Sequence, residues 1–466
     1  MPIRGKKIVR GRPTTANSHP AKAKTAALAG RGAYWFLHTF LKGGSSLPGK
    51  IASRIDPDVL AQVGADYDVI VVTGTNGKTL TTNLIVKVLR QKYTEVLTNP
   101  TGSNMMQGII TAFLAQPKDG KGRGIAVLEV DEANVAPVSK YLHPKAFVLT
   151  NIFRDQMDRY GEFYTTYQKI LDGIKLAPEA LVIANGDAPI FSSREMPNPK
   201  RYFGFESSSQ DDLMAPPNTD GVLCPVCNHI LHYHMITYSN LGDFFCPNCG
   251  FKRPELTNQI SAVHELLPTR SQFTIDGHDF AIQIGGLYNV YNALAAYAVG
   301  EAFDVSPDQI ASAFAYDEKV FGRQEVIHVG DKDVTLVLVK NPVGLNQVLD
   351  MIQNEKQPFA FGALLNANYA DGIDTSWIWD GNFEELVASH KASSYLVGGE
   401  RYKDIAFRLK VAGVPEADLQ VKPDLGDVIK AISTFKEEKV YFLATYTAVL
   451  QLRKKLADEG YLKAGF

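Results

Sequence analysis

The stretch Tyr67-Asp68-Val69-Ile70-Val71-Val72-Thr73-Gly74-Thr75-Asn76-Gly77-Lys78-Thr79 decides the fold class of this 466-residue chain. It begins with an apolar run that is too short for a helix, passes through a glycine turn, and enters a helical pattern that extends to Leu89. Further apolar runs of strand length follow, with helical stretches between them, at Ile125–Glu129, Ala146–Thr150 and Leu181–Ala184. This alternation predicts an α/β fold with a largely parallel sheet that is covered on both faces.

The turn between the first strand and its helix has the composition of a phosphate-binding loop. Gly74 and Gly77 permit a tight turn whose backbone N–H groups, with those of Thr75 and Asn76, can surround phosphate oxygens. Lys78 supplies a cation for the β- and γ-phosphates, and Thr79 supplies a hydroxyl for Mg2+. The usual eight-residue pattern has Gly where this chain has Val72, so this is a shortened variant. The sequence therefore predicts an ATP-binding site.

Two polar runs follow later strands of the same predicted sheet. One is Leu128-Glu129-Val130-Asp131-Glu132, and the other is the segment from Thr150 to Asp158. Because parallel strands end at one edge of a sheet, we expect both runs to lie beside the phosphate loop. They are the candidates to complete an ATP–Mg2+ site.

All four cysteines of the chain fall in one cluster with the spacing C-x2-C-x18-C-x2-C: Cys224, Cys227, Cys246 and Cys249. This spacing is typical of a closed structural Zn2+ site with four thiolate ligands. Two disulfides or four unrelated buried thiols are the alternatives. If the four bind zinc, no cysteine remains to act as a nucleophile.

The charge of the chain is uneven. The net charge is −2, but residues 1–55 contain eleven Lys or Arg and no Asp or Glu. We interpret residues 1–50 as a basic arm, with Pro13–Gly30 lacking structure and an apolar stripe at Tyr34-Trp35-Phe36-Leu37 and Phe40-Leu41. The stripe either lies on an anionic membrane surface or packs on the protein. There is no apolar run long enough to span a membrane and no secretory signal, and the thiol cluster suits a reducing compartment. We therefore expect a cytoplasmic protein, which associates peripherally with the inner face of the membrane if the stripe lies on lipid.

A second α/β block begins near Gln324. Its apolar runs are Val334–Val339, Pro358–Leu365, Ser394–Val397 and Val440–Ala444. We place a hinge at Phe321-Gly322-Arg323, which predicts a first domain at 51–322 and a second α/β domain at 323–466. The polar segment 207–260 interrupts the first block, and the cysteines mark a zinc ribbon inserted at about 220–255.

Several motifs together resemble the Mur ligase family of ATP-dependent amide-forming enzymes, which includes folylpolyglutamate synthase. They are G-T-N-G-K-T with Thr81-Thr82, T-N-I-x-x-D-x-x-D-R-Y-G from Thr150, Leu287–Ala296, and Gly322-Arg323-Gln324-Glu325. The resemblance implies a central ATPase domain at 51–322 and a C-terminal Rossmann-like domain at 323–466. The family phosphorylates a carboxylate, and an amine then displaces the phosphate. The resemblance assigns Lys78 and Thr79 to phosphate and Mg2+, Glu129 to Mg2+, Asn289 to adenine and Arg323 to the phosphates on closure. It also places Lys169 where many members carry a carbamylated lysine.

Two departures narrow this resemblance. The phosphate loop begins too early to leave room for the N-terminal UDP-binding domain of the precursor ligases, and a zinc ribbon is inserted. These features, with Ser45–Lys50 and Ala370–Asp380, resemble the ligase-like subunits that amidate the D-glutamate α-carboxylate of lipid II in peptidoglycan synthesis. The resemblance implies a carbon–nitrogen ligase that forms a heterodimer with a GatD-like glutamine amidotransferase. It also implies an essential aspartate in the C-terminal domain, for which Asp371 is the first candidate and Asp374 the second.

Two other functions fit parts of the sequence. A folylpolyglutamate synthase-like ligase would need an amino-acid pocket, and the zinc insertion is foreign to that group. A zinc-ribbon ATPase that binds nucleic acid would need a basic stripe, yet residues 207–260 offer only Lys252 and Arg253. We therefore expect no nucleic-acid partner.

Overall fold

The computed structural model describes residues 20–41, 46–99, 102–116, 122–154, 163–216, 219–315, 324–389 and 391–462. Within these ranges the chain forms a nine-stranded sheet, a six-stranded sheet and a three-stranded sheet. The predicted hinge at Phe321-Gly322-Arg323 lies outside the described residues, so the domain boundaries stay a prediction.

The nine-stranded sheet confirms the predicted α/β fold. Its strand order is β12-β11-β10-β6-β5-β4-β1-β3-β2, with parallel pairing from β2 to β10 and antiparallel pairing from β10 to β12. The strands are β1 Tyr67–Thr73, β2 Val96–Thr98, β3 Gly124–Glu129, β4 Ala146–Leu149, β5 Leu181–Asn185, β6 Lys200–Phe205, β10 Asn258–Leu267, β11 Arg270–Ile275 and β12 His278–Ile282. Val69 to Val72 are fully buried, as expected for a central parallel strand.

The helices associated with this sheet are α1 Pro20–Phe36, α2 Leu47–Ile55, α3 Val59–Val63, α4 Lys78–Arg90, α5 Met106–Ala115, α6 Val135–Leu142, α7 Phe163–Ile174, α8 Pro189–Ser192, α9 Leu287–Ala302 and α10 Pro307–Ala315. A π-helical turn, Leu37–Leu41, extends α1, and a 3-10 turn, Glu132–Asn134, precedes α6. Helices α4 and α6 both contact β1. Their packing places the start of α4 at the carboxyl edge of the sheet, as the strand-turn-helix pattern predicts.

The expectation that Pro13–Gly30 lacks structure is wrong for residues 20–30, which are helical. Ala23, Ala26 and Gly30 are buried, and α1 packs against α2 and α5. A Cβ on Gly30 would lie 2.5 Å from Leu114 Cδ1. Small residues that appear featureless in the sequence therefore let this helix approach its neighbours closely.

The six-stranded sheet has the order β13-β14-β18-β15-β16-β17 and is parallel except for β13. Its strands are β13 Glu325–Val329, β14 Lys332–Leu338, β15 Phe359–Leu364, β16 Ala392–Gly398, β17 Leu419–Val421 and β18 Lys439–Ala444. Its helices are α11 Pro342–Gln353, α12 Phe383–Ala388, α13 Tyr402–Val411, α14 Leu425–Ile432 and α15 Tyr446–Asp458, with 3-10 turns at Ser376–Asp380 and Glu416–Asp418. All four predicted strands of this block are confirmed.

The three-stranded sheet lies within the predicted insertion. Its strands are β7 Leu213–Met214, β8 His232–Tyr238 and β9 Leu241–Phe245, in the order β7-β8-β9. A small core of its own contains Leu231, Tyr233 and Phe244 together with buried Cys224 and Cys246. Among the described helices, we find none with both the length and the apolar character that crossing a bilayer requires.

Candidate functional site

The phosphate loop connects β1 to α4 through two glycines in the left-handed region. Gly77 has φ 81° and begins α4. A Cβ at this position would lie 2.2 Å from Asn292 Oδ1 of helix α9. Glycine is therefore required both for the turn and for the close approach of α9, which brings the predicted adenine-binding helix against the loop.

The segment after β4 holds the phosphate loop in place. The Asn76 N–H donates to Asn151 Oδ1 at 2.9 Å, and the Thr75 N–H donates to the Asn151 carbonyl at 2.8 Å. Thr150 Oγ1 donates to the Asn76 carbonyl at 2.9 Å. The amides of Thr75 and Asn76 are thus committed to protein partners. The anion site then depends on the first turn of α4, where N–H groups have no intrahelical acceptor.

Lys78 is buried beside the loop, and its main charge partner is Glu132. Lys78 Nζ lies 3.0 Å from Glu132 Oε1 and also donates to the carbonyl of Gly74. Burial alone would lower the pKa of Lys78, but the carboxylates of Glu132, Glu129 and Asp131 outweigh it and raise that pKa. Burial raises the pKa of Glu132 against the opposing charge of Lys78. Phosphate oxygens would therefore compete with a carbonyl and a carboxylate for this ammonium group.

The acidic residues after β3 lie where the sequence predicted them. Glu129 is buried at the end of β3, beside Val72 of β1, and accepts a hydrogen bond from Asn104 Nδ2 at 3.3 Å. Asp131 and Glu132 are also buried, as is Thr79. Carboxylate and hydroxyl oxygens are the ligands that Mg2+ prefers, so this edge fits that ion. Sequence reasoning singled out Glu129 and missed Glu132, although both belong to the predicted run.

A cleft with about 720 Å³ of empty space, part of it open solvent, lies between the two larger sheets. The phosphate-loop side contributes Asn76 and Gly77, and the six-stranded side contributes Asn341 and Gly344 at the start of α11. The remaining lining residues are Leu80, Asn151, Tyr238, Ile284, Tyr288, Asn289, Asn292, Gln324, Val337, Leu338, Val339, Lys340, Val343, Gln347 and Val348. The predicted adenine contact, Asn289, therefore lines a largely apolar cleft beside the phosphate loop.

Reciprocal hydrogen bonds join the two sides of this cleft. Asn341 Nδ2 donates to Asn76 Oδ1 at 2.9 Å, and Asn76 Nδ2 donates to Asn341 Oδ1 at 3.3 Å. Asn341 also caps α11 by accepting from the Gly344 N–H at 2.8 Å. The phosphate loop is thus bonded directly to the first turn of a helix in the C-terminal block.

The four cysteines form one cluster. Their sulfurs all lie within 4.8 Å of one another, with 3.6 Å between Cys224 and Cys249 and 3.5 Å between Cys227 and Cys246. Zn–S bonds of ~2.3 Å in a tetrahedron place sulfurs ~3.8 Å apart. Positive φ at Asn228 and Gly250 shapes the two turns, whose amides bond back to the carbonyls of Cys224 and Cys246. The geometry fits zinc and not two disulfide-bonded pairs.

Buried contacts attach this ribbon to the nucleotide cleft. Asp187 is fully buried and accepts from Arg253 Nη1 at 2.9 Å, from the Tyr291 hydroxyl at 2.6 Å and from the Phe205 N–H at 2.8 Å. Tyr291 lies on α9, and Tyr238 at the end of β8 lines the cleft itself. Nothing in the sequence indicated that the ribbon would reach the nucleotide site.

We expect Arg253→Ala to lower the free energy of unfolding by about 3–5 kcal/mol, because it leaves the buried Asp187 carboxylate without its cation. Burial already raises the pKa of Asp187, and Arg253 opposes that shift. Urea unfolding at neutral pH measures the loss. Lys252→Ala is the matched control, since Lys252 is the exposed neighbour. Equal stability of the two variants would contradict the assigned contact.

The other predicted site residues are placed as follows. Lys169 is half-buried on α7, which packs against the 3-10 turn that contains Glu132. Arg323 lies outside the described residues, as do Asp155 to Tyr160 of the T-N-I motif. Asp371 and Asp374 lie on the loop after β15, at the carboxyl edge of the six-stranded sheet.

The two aspartates differ in environment. Asp371 is 3% exposed, and its carboxylate accepts from the Thr447 N–H at 2.6 Å, from Thr447 Oγ1 at 2.5 Å and from the Asn368 N–H at 3.0 Å. It therefore ties its loop to the first turn of α15. Asp374 is exposed, and hydrogen bonds from Ser376 lower its pKa.

Comparison with known proteins agrees with this architecture. Residues 72–249 match the Mur ligase middle domain, and residues 338–449 match the MurT ligase C-terminal domain. The chain is 48% identical over 437 residues to the lipid II isoglutaminyl synthase (glutamine-hydrolyzing) subunit MurT of Streptococcus pneumoniae, covering 94% of this chain and 97% of that protein. This chain belongs to the MurT family. The Staphylococcus aureus MurT subunit is 34% identical, covering 89% of this chain and 93% of that one.

Solved structures share the Mur ligase fold with this MurT-family chain. A pseudomurein peptide ligase type C from Methanothermus fervidus superposes with a TM-score of 0.62 and 20% identity, covering 86% of this chain and 81% of that one. MurF from Acinetobacter baumannii superposes with a TM-score of 0.63 and 17% identity, covering 89% of this chain and 80% of that one. These similarities establish the fold of the nucleotide-binding and C-terminal blocks. The predicted α/β Mur ligase architecture is confirmed.

Proposed function

We propose that this chain is the ATP-dependent ligase subunit of a lipid II isoglutaminyl synthase. It would convert the D-glutamate α-carboxylate of lipid II to the amide of D-isoglutamine, in peptidoglycan synthesis. The observation that carries the proposal is the cleft between the two larger sheets, which combines a phosphate loop with the first turn of α11 in a MurT-family chain.

The chemistry proceeds in two steps. A carboxylate oxygen of the acceptor attacks the γ-phosphorus of ATP, and the bond between that phosphorus and the bridging oxygen breaks. ADP departs, and the acceptor carboxylate has become an acyl phosphate. Ammonia then attacks the acyl carbon, a proton is lost from nitrogen, and inorganic phosphate departs. Both steps gather negative charge at phosphate oxygens, which positioned cations and N–H groups stabilise.

The residues of this chain are suited to hold that charge. Lys78 supplies a buried ammonium group, and the first turn of α4 supplies N–H donors. Asn289 and Asn292 line the adenine side of the cleft, and the Asn76–Asn341 bonds keep α11 against the loop. When bound, Mg2+ neutralises phosphate charge, and Thr79 and Glu129 are its proposed ligands. Lys169 is proposed, in carbamylated form, as a further anionic group of this edge.

Ammonia requires a second protein in this proposal. All four cysteines are in the ribbon cluster, where zinc is the ion we propose, so no thiol remains to attack glutamine. The exposed side chains of Ile373, Trp379 and Phe407 line one pocket with Asp374 at the carboxyl edge of the six-stranded sheet, and exposed Tyr369 lies on the same loop. Exposed aromatic and apolar side chains beside the Asp374 carboxylate, whose pKa is lowered, are suited to a protein interface. We assign this surface to a GatD-like amidotransferase.

Arg154 connects the proposed interface to the nucleotide loop. It follows the Asn151–Phe153 segment that holds the phosphate loop, and it pairs with Asp380 of the Ser376–Asp380 turn. Its Nε also lies 3.5 Å from Asp220 of the ribbon insertion. One side chain thus joins three parts of the structure near the point where ammonia would be delivered.

The purified chain is expected to amidate lipid II with ATP, Mg2+ and ammonium, and to form no product with glutamine until the amidotransferase is added. Mass spectrometry of the released stem peptide detects the carboxylate-to-amide change. Amidation from glutamine by this chain alone would exclude the two-subunit proposal. Lipid II that gains no amide in the presence of ATP, Mg2+ and ammonium would contradict its assignment as the acceptor.

The Asp371–Asp374 loop is the proposed contribution of this chain to the glutamine-dependent reaction. Asp371→Asn and Asp374→Asn should each reduce amidation from glutamine more than amidation from ammonium. The melting temperature distinguishes the two variants. Asp371→Asn should lower it, because Asp371 anchors the loop to α15, whereas Asp374→Asn should not, because Asp374 is exposed. Asp458→Asn, at the exposed end of α15, is the control.

The two other candidate functions have less support. Folylpolyglutamate synthase from Mycobacterium tuberculosis shares the fold at a TM-score of 0.57 but only 12% identity. For a nucleic-acid-binding ribbon, Arg253 would have to be available, yet its guanidinium group contacts Asp187 and Asp243. Of the two basic residues named from the sequence, only Lys252 is exposed.

A further inference from the structure

Three aromatic rings cluster on the protein surface at the end of α1. Trp35, Phe36 and Phe40 are 63%, 52% and 62% exposed. The Phe40 ring lies 6.0 Å from the Trp35 ring and 5.1 Å from the Phe36 ring. Leu28, two turns earlier on α1, is also exposed. Together these four residues, here named the aromatic face, form an apolar surface that water contacts in the isolated chain.

The helix that carries this face packs closely against the rest of the protein. Its opposite side buries Ala23, Ala26 and Gly30, and it packs against α2 and α5. Helix α2 is fastened to α5 in turn, since the Gly49 N–H donates to Thr111 Oγ1 at 2.9 Å. The aromatic face is therefore directed outward by the packing of small residues on the other side of α1.

The charge around the aromatic face has a single sign. Every Lys, Arg, Asp or Glu among the described residues from 20 to 54 is basic, and all of them are exposed: Lys22, Lys24, Arg31, Lys50 and Arg54. The first acidic residue of the chain is Asp56. A protein interface of mixed composition would carry both signs. Exposed aromatic groups on a segment whose charged residues are all cations match the surface of an anionic bilayer.

We propose that the aromatic face and its surrounding cations bind the chain to an anionic lipid bilayer. The rings enter the boundary between headgroups and acyl chains, and the cations remain among the anionic headgroups. This extends the proposed function and rests on it in one respect, because a lipid-linked acceptor keeps the reaction at the membrane.

The packing of α1 on α5 also connects this surface to the acidic edge of the nucleotide site. Helix α5, which supports α1 and α2, begins just after Asn104, and Asn104 donates to Glu129. The bilayer-binding surface and the proposed Mg2+ ligand are thus connected through one helix and its preceding loop. A headgroup-linked peptide would approach the acidic edge from a membrane held in a fixed orientation.

The test is sedimentation of the full chain with vesicles, without ATP, lipid II or the amidotransferase. Vesicles of phosphatidylglycerol and phosphatidylcholine should bind the chain, vesicles of phosphatidylcholine alone should bind at least tenfold more weakly, and added salt should weaken binding. The triple variant Trp35→Ala, Phe36→Ala, Phe40→Ala should lose at least tenfold in affinity. Leu176→Ala with Met214→Ala removes exposed apolar groups elsewhere and should bind as the parent chain does.

A second variant tests the charge without touching the rings. The triple variant Lys22→Glu, Lys24→Glu, Arg31→Glu should abolish binding to phosphatidylglycerol vesicles, whereas Lys430→Glu, at an exposed lysine of α14, should not. Unchanged binding by either triple variant would overturn the proposal. So would a dimer of the parent chain that dissociates in the aromatic variant, because the face would then bind a second copy. Failure of vesicle binding leaves the ligase proposal intact, and failed amidation by a vesicle-binding chain affects only the ligase proposal.

Discussion

Lys78→Ala is expected to reduce ATP turnover with lipid II and ammonium by about 10²–10³-fold or more, because it removes the buried cation from the phosphate site. The same change leaves Glu132 buried without its partner 3.0 Å away. We therefore also expect a loss of stability, up to about 3–5 kcal/mol. Single-turnover ADP release and urea unfolding measure the two effects separately.

A second substitution separates catalysis from folding. Adding Glu132→Gln to Lys78→Met removes the uncompensated charge and keeps the buried volume, so stability should recover while turnover stays low. Lys430→Ala, an exposed lysine on α14, is the control for loss of a positive charge. Normal turnover in the double variant would show that the loop does not act on phosphate.

Cys224→Ser should release the proposed zinc ion and unfold the ribbon. Zinc-binding peptides gain about 10–16 kcal/mol of apparent binding free energy from a structural site, so one lost thiolate is expected to be decisive for a core as small as this one. The effect should reach the nucleotide cleft, because Tyr238 lines it and the Asp187–Tyr291 bond supports α9. Elemental analysis, melting temperature and the KM for ATP should all change together.

Val226→Ser is the matched control for this prediction. Val226 lies between the first two cysteines, is exposed, and contributes no thiolate. It should retain zinc and the parent melting temperature. Purified parent chain without stoichiometric metal would refute the zinc assignment. An unchanged KM for ATP in a zinc-free Cys224→Ser chain would refute the coupling of ribbon and cleft.

Local patterns were sufficient to predict four adjacent central strands of the nine-stranded sheet (β1, β3, β4 and β5), four strands of the six-stranded sheet (β14, β15, β16 and β18), and the turn before α4. The apolar run Val69–Val72 becomes a fully buried central strand, and Gly74 and Gly77 take positive φ where the sequence placed a tight turn. The same logic placed Glu129 at the strand end beside β1. These features depend on neighbouring residues alone, so they can be predicted from the sequence before the fold is known.

Other expectations needed information that neighbouring residues do not carry. The start of helix α1 is not predicted by the sequence, because its alanines and glycines carry no strong local pattern. Their packing against α2 and α5 belongs to the tertiary structure. Glu129, Asp131 and Glu132 stand close together in the sequence, and only the path of the chain after β3 brings Glu132 to 3.0 Å from Lys78 Nζ. Asp371 was ranked first for function, yet its burial against Thr447 became visible only when β15 and α15 met at one sheet edge.

The sequence by itself therefore determined the α/β alternation, the phosphate loop and the four-cysteine cluster, because each is set by residue types at short, fixed spacings. The tertiary structure decided which of these parts act on one another. Asn76 and Asn341 lie 265 residues apart, and Arg253 reaches Asp187 across 66 residues, so no local pattern could pair them. Partners of this kind are chosen by the packing of whole sheets, and that packing places the ribbon and the C-terminal block around one nucleotide cleft.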